Sequence, residues 1–479
     1  MKNRSAIGPQ RSIGRLNIES RTLSRRKQEI ERYIQMRSRT VIFYSLPAMV
    51  IAIPTLPIYV ILPQLYGSEL GLGLSVTGLV LLVARLFDTI TDPIIGLASD
   101  NFGIKGNKRK PWIGAGALIS GVGLFMLLVP NDGVGALYLL GWSIFLYCGW
   151  TMVAVPYLAW GAELSSIYTE RTRITAWRES LSLVGFIGAG GVIAVSASSG
   201  LENREAIKVL VIGAFVIGVP AFLGLLMVVK EKSSEKFEEN FSGFKISDVW
   251  KSLKQNRVFI RLLMAWFFNG LANGIPAALF FLFLEFRLGA TETEKAVLIL
   301  VYFVSAVLFI PVWRKLSDQY GKHKMWSWAM LIASGVFILV PLIPDGALVL
   351  FGIICVITGA ALGADLILPP ALQADVVGYG KFKFGKSHAG LLFSFWGLST
   401  KFALALSVGL ALPGVEYAGF NPKSVTPEGV FALALIYAVV PAVLKLVAVT
   451  LVWNFPLTAK KVQVVELAIA RRECLRTTE

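Results

Sequence analysis

Charge is scarce in this chain. Only 16% of its 479 residues are Asp, Glu, Lys or Arg, against about a quarter in a soluble globular domain. Acid is scarcer than base, 30 residues against 46. Histidine occurs twice and cysteine three times. Cys148, Cys355 and Cys474 lack metal-ligand spacing and read as two small apolar fillers and one free thiol. His323 and His388 fall at the ends of apolar segments. The chain contains no Ser/His/Asp set, no glycine loop to cradle phosphate and no nucleic-acid motif. An enzyme is therefore not expected, and neither is a bound cofactor.

What is abundant is apolar length. Hydrophobic residues make up 55% of the chain and the mean hydropathy is +0.66. Twelve segments approach or exceed the ~20 residues that cross a ~30 Å hydrocarbon core. They fall near 41–66, 75–99, 112–130, 136–161, 174–198, 206–229, 258–286, 295–314, 326–343, 347–372, 388–413 and 429–455. The expected fold is an all-α membrane protein of twelve transmembrane helices. Its expected parts are a basic tail at 1–40, six-helix bundles at 41–229 and 258–457, a central loop at 230–257 and a tail at 458–479.

A net charge of +16 would suit nucleic acid, but its placement does not. Basic residues crowd the first forty positions and recur at 105–110, 230–257, 314–324, 381–386 and 460–476. The alternate loops at 67–74, 131–135 and 344–346 have almost none. That alternation is the positive-inside pattern, with both termini cytoplasmic, and the basic tails can touch anionic headgroups. The first forty residues lack an apolar core for a cleavable signal. Residues 22–36 fit either a short interfacial helix or a frayed tail.

Asp88 and Asp92 lie inside the second apolar segment. A charge at the bilayer centre costs about 3 kcal/mol on insertion scales and so usually marks an ion or substrate path. Spaced i and i+4, the two carboxylates share one helix face. Both stay ionised only with a cation or basic partner, or else they share a proton. Arg85, three residues before Asp88, can pair with it or with a substrate anion.

The chain is also an imperfect duplication. GLASDNFG with a following basic cluster, containing Asp100 and Arg109, recurs six segments later as RKLSDQYGKHK, containing Asp318 and Lys322. VPYLAWGAEL at 155–164 echoes LPPALQADVV at 368–377. Two six-helix halves joined by a charged loop are the architecture of the major facilitator superfamily, in which substrate binds between the halves. Asp100, Arg109, Asp318 and Lys322 are expected to gate the cytoplasmic face.

The run VARLFDTITDPIIGLASDNFGIKGNKRKPW at 83–112 resembles the signature of the glycoside–pentoside–hexuronide:cation symporter family, the melibiose permease group. The likeness continues through TMVAVPY at 151–157, ERTRITAWRES at 170–180 and FSFWGLSTKFALALSVGL at 393–410. That last run also resembles animal lysolipid symporters of the same broader group. The resemblance implies a site for sodium or a proton at Asp88 and Asp92, with Thr91, Thr151 and Lys401 beside it. Arg178 matches the family's substrate region. The aspartates that grip sugar are missing: residues 41–66 hold no acidic residue, the fourth-segment position is Ala154, and an expected aromatic is Leu158.

Tyr157, Asn269, Asn273, Asp365 and Trp396 join Arg85, Arg178 and Ala154 as substrate-side candidates. For Asn269 and Asn273 the alternative is interhelical bridging. For Asp365 it is bonding to backbone near Pro369 and Pro370, and for Trp396 it is packing. Lys445 reads as snorkelling or paired. The expected function is symport of a small polar or anionic solute, such as a sugar or sugar acid, with sodium or a proton across a bacterial inner membrane, by a monomer. The alternative cargo is a lysolipid or other amphiphile. A membrane assembly or sensor protein is a third reading, which the retained intramembrane charges disfavour.

Overall fold

The computed structural model describes residues 36–231 and 254–478, apart from 56, 59–61, 63–64, 105, 199–202, 386–387 and 422–423. The suggested 22–36 helix and most of the 230–257 loop fall outside the described residues. Among those described, the chain is all-helical. The first half contains α1 Ser38–Ala52, α2 Leu74–Asn101, α3 Lys110–Leu128, α4 Ala136–Leu164, α5 Tyr168–Ser198 and α6 Asn203–Val228. The second contains α7 Arg257–Phe286, α8 Glu292–Tyr320, α9 Lys322–Phe337, α10 Leu348–Phe384, α11 Ala389–Tyr417 and α12 Pro427–Val452. A polar helix, α13 Ala459–Thr478, follows.

Helix boundaries follow local chemistry. Asn256 caps α7 by accepting the Phe259 N–H, and Thr291 and Glu294 form a reciprocal capping box on α8. Thr426 caps α12, with Pro427 in its first turn. Gly385, left-handed at φ 78°, ends α10 just past Lys381 and Lys383.

Nine of these helices are long and apolar enough to cross a membrane. The other three of the twelve expected spans fall short for physical reasons. The segment at 41–66 is not one continuous helix, since α1 gives way after 15 residues to a turn at Ile53 and Pro54. α2 carries Arg85, Asp88 and Asp92, and α5 carries Glu170, Arg171, Arg173, Arg178 and Glu179. α8, α10 and α11 run past the apolar segments read from hydropathy, because backbone hydrogen bonding continues where hydrocarbon ends.

Packing repeats six helices apart. In the first half α1 meets α5 and α6, α2 meets α4, and α3 meets α4 and α6; each pairing recurs among α7–α12. The seam obeys the same two-fold relation, with α2 on α11 matched by α8 on α5, and α4 on α11 matched by α10 on α5. One apolar cluster crosses the seam, joining Ala159, Tyr168 and Leu183 to Trp326, Leu368 and Trp396. It lies toward the end that carries the basic loops. The clusters at the opposite end each stay within one half among the described residues.

Ionic latches reinforce the closed end. The Asp100 carboxylate accepts the N–H groups of Gly390 (2.8 Å) and Leu391 (3.0 Å), so the end of α2 caps the start of α11. Arg109 holds Asp100 at 2.6 Å and Glu163 at 2.8 Å. In the second half Lys322 is held by Asp375 at 2.7 Å, and Asp318 acts on it through charge alone. Arg171 of α5 crosses the seam to Asp375 (3.0 Å) and also reaches Glu466 of α13 (2.6 Å). The Tyr168 hydroxyl accepts the Lys322 N–H at 2.8 Å.

Gly96 and Gly390 let α2 and α11 touch. A Cβ on Gly96 would lie 2.8 Å from the Gly390 carbonyl oxygen, and one on Gly390 would lie 2.4 Å from that of Gly96. Gly96→Val should therefore force the helices apart at this end. A cysteine replacing the fully buried Ser394 should resist a water-soluble maleimide in the otherwise native protein and react in the Gly96→Val background. Equal protection in both would show that this crossing does not close the end.

Candidate functional site

α2 presents Asp88 and Asp92 on one face, and its packing on α4 and α11 brings Thr151 and Lys401 against them. The Lys401 ammonium lies 2.6 Å from a carboxylate oxygen of each aspartate. The Thr151 hydroxyl lies 2.9 Å from Asp88 and 2.8 Å from Asp92, using the other oxygen of each. The aspartates are 4% and 3% exposed. Four side chains from three helices and both halves thus close one small ring.

The ring is not electrically complete. Two carboxylates and one ammonium leave one negative charge. Arg85 answers it weakly: its guanidinium stands 4.0 Å from Asp88 and rests over the Tyr147 ring, 4.3 Å from the centroid. One hydroxyl has one hydrogen, so Thr151 donates to only one aspartate at a time. The second short contact is satisfied when the other carboxyl carries a proton, or when a cation shares both oxygens. The arrangement is suited to one more monovalent positive charge.

Thr91, expected beside the cation, donates instead to the Asp88 carbonyl of its own helix at 3.0 Å. Tyr147 was not foreseen; a tyrosine one turn before Thr151 in an apolar span carries no distinguishing signal.

The substrate-side candidates are dispersed. Ala154 and Leu158 lie half-buried on the α4 face shared with Thr151. Arg178 is buried and paired with the adjacent Glu179, and it also engages the Tyr44 hydroxyl. Tyr157 forms a reciprocal clasp with Tyr44: each hydroxyl donates to the other residue's carbonyl, at 2.6 and 2.8 Å, with the rings stacked. Trp396 stacks on Trp266 at 4.5 Å, where α11 meets α7.

Asn269, Asn273 and Asp365 converge within the second half. Asp365 accepts from the Trp326 indole (2.7 Å), the Lys445 ammonium (3.0 Å) and the Asn273 amide (3.2 Å). Lys445 also donates to Asn269 at 2.8 Å. Lys445 is thus paired rather than snorkelling, about 10 Å inside the end of α12 at 1.5 Å per residue. Of the gating candidates, Asp100 and Arg109 bond directly, whereas Lys322 takes Asp375. Sequence reasoning missed Glu163, Arg171, Asp375 and Glu466. The echo between 155–164 and 368–377 was the one signal, since it aligns Glu163 within one residue of Asp375.

Buried carboxylates bridged by a basic group across the seam of two duplicated helical halves define a cation-coupled secondary transporter, not an enzyme. The chain matches the MFS/sugar transport protein family over residues 43–459 and belongs to it. It is therefore a multi-pass membrane symporter of the melibiose permease-like branch of the major facilitator superfamily. It is 25% identical to human sodium-dependent lysophosphatidylcholine symporter 1 over 437 residues, covering 82% of this chain and 78% of that one. It is 27% identical to the uncharacterized symporter YjmB of Bacillus subtilis, covering 77% and 81%. In fold it is similar to the proton:xylose symporter XylE, with a TM-score of 0.64 at 14% identity over 89% of this chain and 98% of that one.

Lys401→Met would leave two buried carboxylates facing each other. Breaking a buried pair from one side costs about 3–5 kcal/mol, and the lysine's 34% side-chain exposure puts the loss toward the low end. The variant should melt below wild type in detergent at neutral pH. Adding Asp92→Asn removes one of the two negative charges, returns the ring to the wild-type net charge and should restore most of the loss. Failure to restore it would assign the lysine's contribution to packing instead of charge.

Proposed function

We propose that this protein is a sodium-coupled symporter of lysolipids or similar single-chain amphiphiles, working in a bacterial inner membrane with its basic loops in the cytoplasm. The observation that carries the coupling half is the Lys401 ammonium between Asp88 and Asp92. A sodium ion that takes the two carboxylates, with the Thr151 oxygen as a further ligand, competes with that ammonium. Because Lys401 is on α11 and the carboxylates are on α2, ion occupancy changes a bond across the seam. The ion then biases which arrangement of the halves is favoured, and cargo binding is linked to it.

Two features support the amphiphile. The positions where sugar transporters of the group hold carboxylates lack them here, and sugar hydroxyls need such buried acceptors. Relatives that share four-fifths of the chain are named for sodium-dependent transport of a lysophospholipid. A basic end in the cytoplasm would put the closed latches on the inside, which fits cargo entering from the opposite face. The second reading, a sugar acid or other organic anion, is supported by the cationic Arg178 and Arg85.

Protein reconstituted in liposomes should accumulate lysophosphatidylcholine when a sodium gradient is imposed, and Asp92→Asn should abolish the stimulation while inserting normally. Sodium should also stabilise purified wild type, by about 2.7 kcal/mol at a hundredfold excess over its dissociation constant, and should not stabilise Asp92→Asn. Stabilisation by acid alone would replace sodium with a proton. Sodium-driven uptake of a hexuronate without lysolipid uptake would favour the second reading.

A further inference from the structure

The first half contains a recess unrelated to the ion ring. It has a volume of about 580 Å³ and is walled by α3 and α6, with α1 and α4 behind. Its lining runs along α3 from Gly114 to Phe125 and along α6 from Ala214 to Leu226. At 1.5 Å per residue that is about 16–18 Å, close to half of a ~30 Å hydrocarbon core and so to one leaflet. The rim carries exposed apolar residues, among them Leu118 at 75% and Val219 at 55% exposure, so the mouth opens on the lipid-facing surface.

The walls offer water little: Trp150 and Ser120 are the two lining side chains with a polar atom. Ser120 is the one hydroxyl side chain in the lining, and it donates to the Ala117 carbonyl of its own helix. A cavity of this character stays dry and accepts an apolar guest.

Close packing accounts for some of the glycines here, Gly121 with a Cβ 3.2 Å from Phe215 and Gly218 with one 2.9 Å from Val50, but not for Gly114. On the side facing α4, a Cβ on Gly116 would lie 2.7 Å from Met152 and one on Gly123 would lie 2.9 Å from the Leu146 backbone. On the recess side, a Cβ on Gly114 would meet only Leu226, at an ordinary 3.6 Å. At Gly114 the helix could fill the space and does not.

At the basic end of the recess stands a cation. The Lys110 ammonium donates to the carbonyl of Leu226, a lining residue, at 2.8 Å. The nearby Glu231 carboxylate is taken up by the backbone N–H groups of Lys108, Arg109 and Lys110.

We propose that this recess is a binding site for a bilayer phospholipid of the leaflet on the basic-loop side, with one acyl chain between α3 and α6 and the phosphate near Lys110. Trp150 and Val153 of the lining adjoin Thr151 and Ala154 on the next face of α4, so the bound chain backs the helix that presents the Thr151 hydroxyl to the ion ring. The site rests on the protein being a membrane protein and not on the identity of its cargo.

The full-length protein, in nanodiscs containing phosphatidylcholine with a diazirine midway along one chain, is irradiated, digested and mapped by mass spectrometry. Adducts should concentrate on residues 114–125 and 214–226. They should fall about tenfold or more in Gly114→Leu/Ala117→Phe, which overfills the recess. They should not fall in Val209→Phe, which alters an exposed part of α6 outside it. Lys110→Ala should weaken labelling by an anionic phospholipid carrying the same diazirine. Even labelling over all the apolar helices, or undiminished labelling in the filled variant, overturns the proposal. So does labelling by diazirine lysophosphatidylcholine alone, which would make the occupant cargo, or protection of the recess by a second copy in a cross-linked dimer. If the filled variant does not fold, the wild-type adduct distribution decides by itself.

Discussion

A single ammonium between two carboxylates, inside what would otherwise be hydrocarbon, is the constraint on which the rest of the structure depends. Charges cannot be left unanswered there. Asp88 and Asp92 belong to one half of the molecule and Lys401 to the other, so the basic group nearest the acidic pair comes from across the seam, with Arg85 of the same helix farther off at 4.0 Å from Asp88. Seam closure and charge compensation are in this respect one event. On the proposed coupling, a cation from solution would take over what Lys401 does at the seam.

The same two helices carry the latch. Asp92 and Asp100 are eight residues apart on α2, about 12 Å along the axis. Lys401 and Gly390 lie on the corresponding stretch of α11. The ion ring and the Asp100 cap on α11 are thus two fastenings between one pair of rods, and loosening one changes the leverage on the other. The seam of α5 with α8 and α10, related to it by the two-fold, has its own ionic latch through Arg171, Asp375 and Lys322, yet among the described residues it carries no acidic pair like Asp88 and Asp92. The fold was duplicated; the buried acidic pair sits in one copy. The buried Asp365–Lys445 pair does not repeat the device, because both partners lie within the second half. It ties α10 to α12, with Asn269, Asn273 and Trp326 drawn in, and makes that half a firmer body against which the seam can work.

How much of this could be read in advance depended on whether a residue's partner was local. The i, i+4 spacing of Asp88 and Asp92 placed both on one face without any knowledge of the fold. Thr151 and Lys401 came only through family resemblance, since a lone threonine or lysine in an apolar span has no pattern of its own. Thr91 looked equivalent to Thr151 in composition, but the turn of α2 points its hydroxyl back at the Asp88 carbonyl. Arg171 and Asp375 were invisible as a pair, being 204 residues apart at ordinary-looking span ends. The spans that hydropathy describes worst, α2 and α5, are the ones whose polar residues build the seam, so the failure of the apolar signal coincides with the chemistry.

The interior also limits what cargo can be recognised. The conspicuous polar groups of the first half are already engaged: Arg178 with Glu179, Tyr44 with Tyr157, Arg85 with Asp88 and Tyr147. Beside the ion ring, the α4 face continues as Ala154 and Leu158, which contribute area and no hydrogen bonds. A polyhydroxylated solute brought here would give up water without regaining its bonds. A molecule with one compact polar end and a long apolar body would give up less, because its apolar body would need no partners on that aliphatic face, which fits the amphiphile we propose. On the proposed reading, a cargo face at Ala154 and Leu158 without carboxylates stands beside the ring of Asp88, Asp92 and Lys401, and the neighbouring positions of Thr151 and Ala154 on one helix would let cargo recognition and coupling diverge separately.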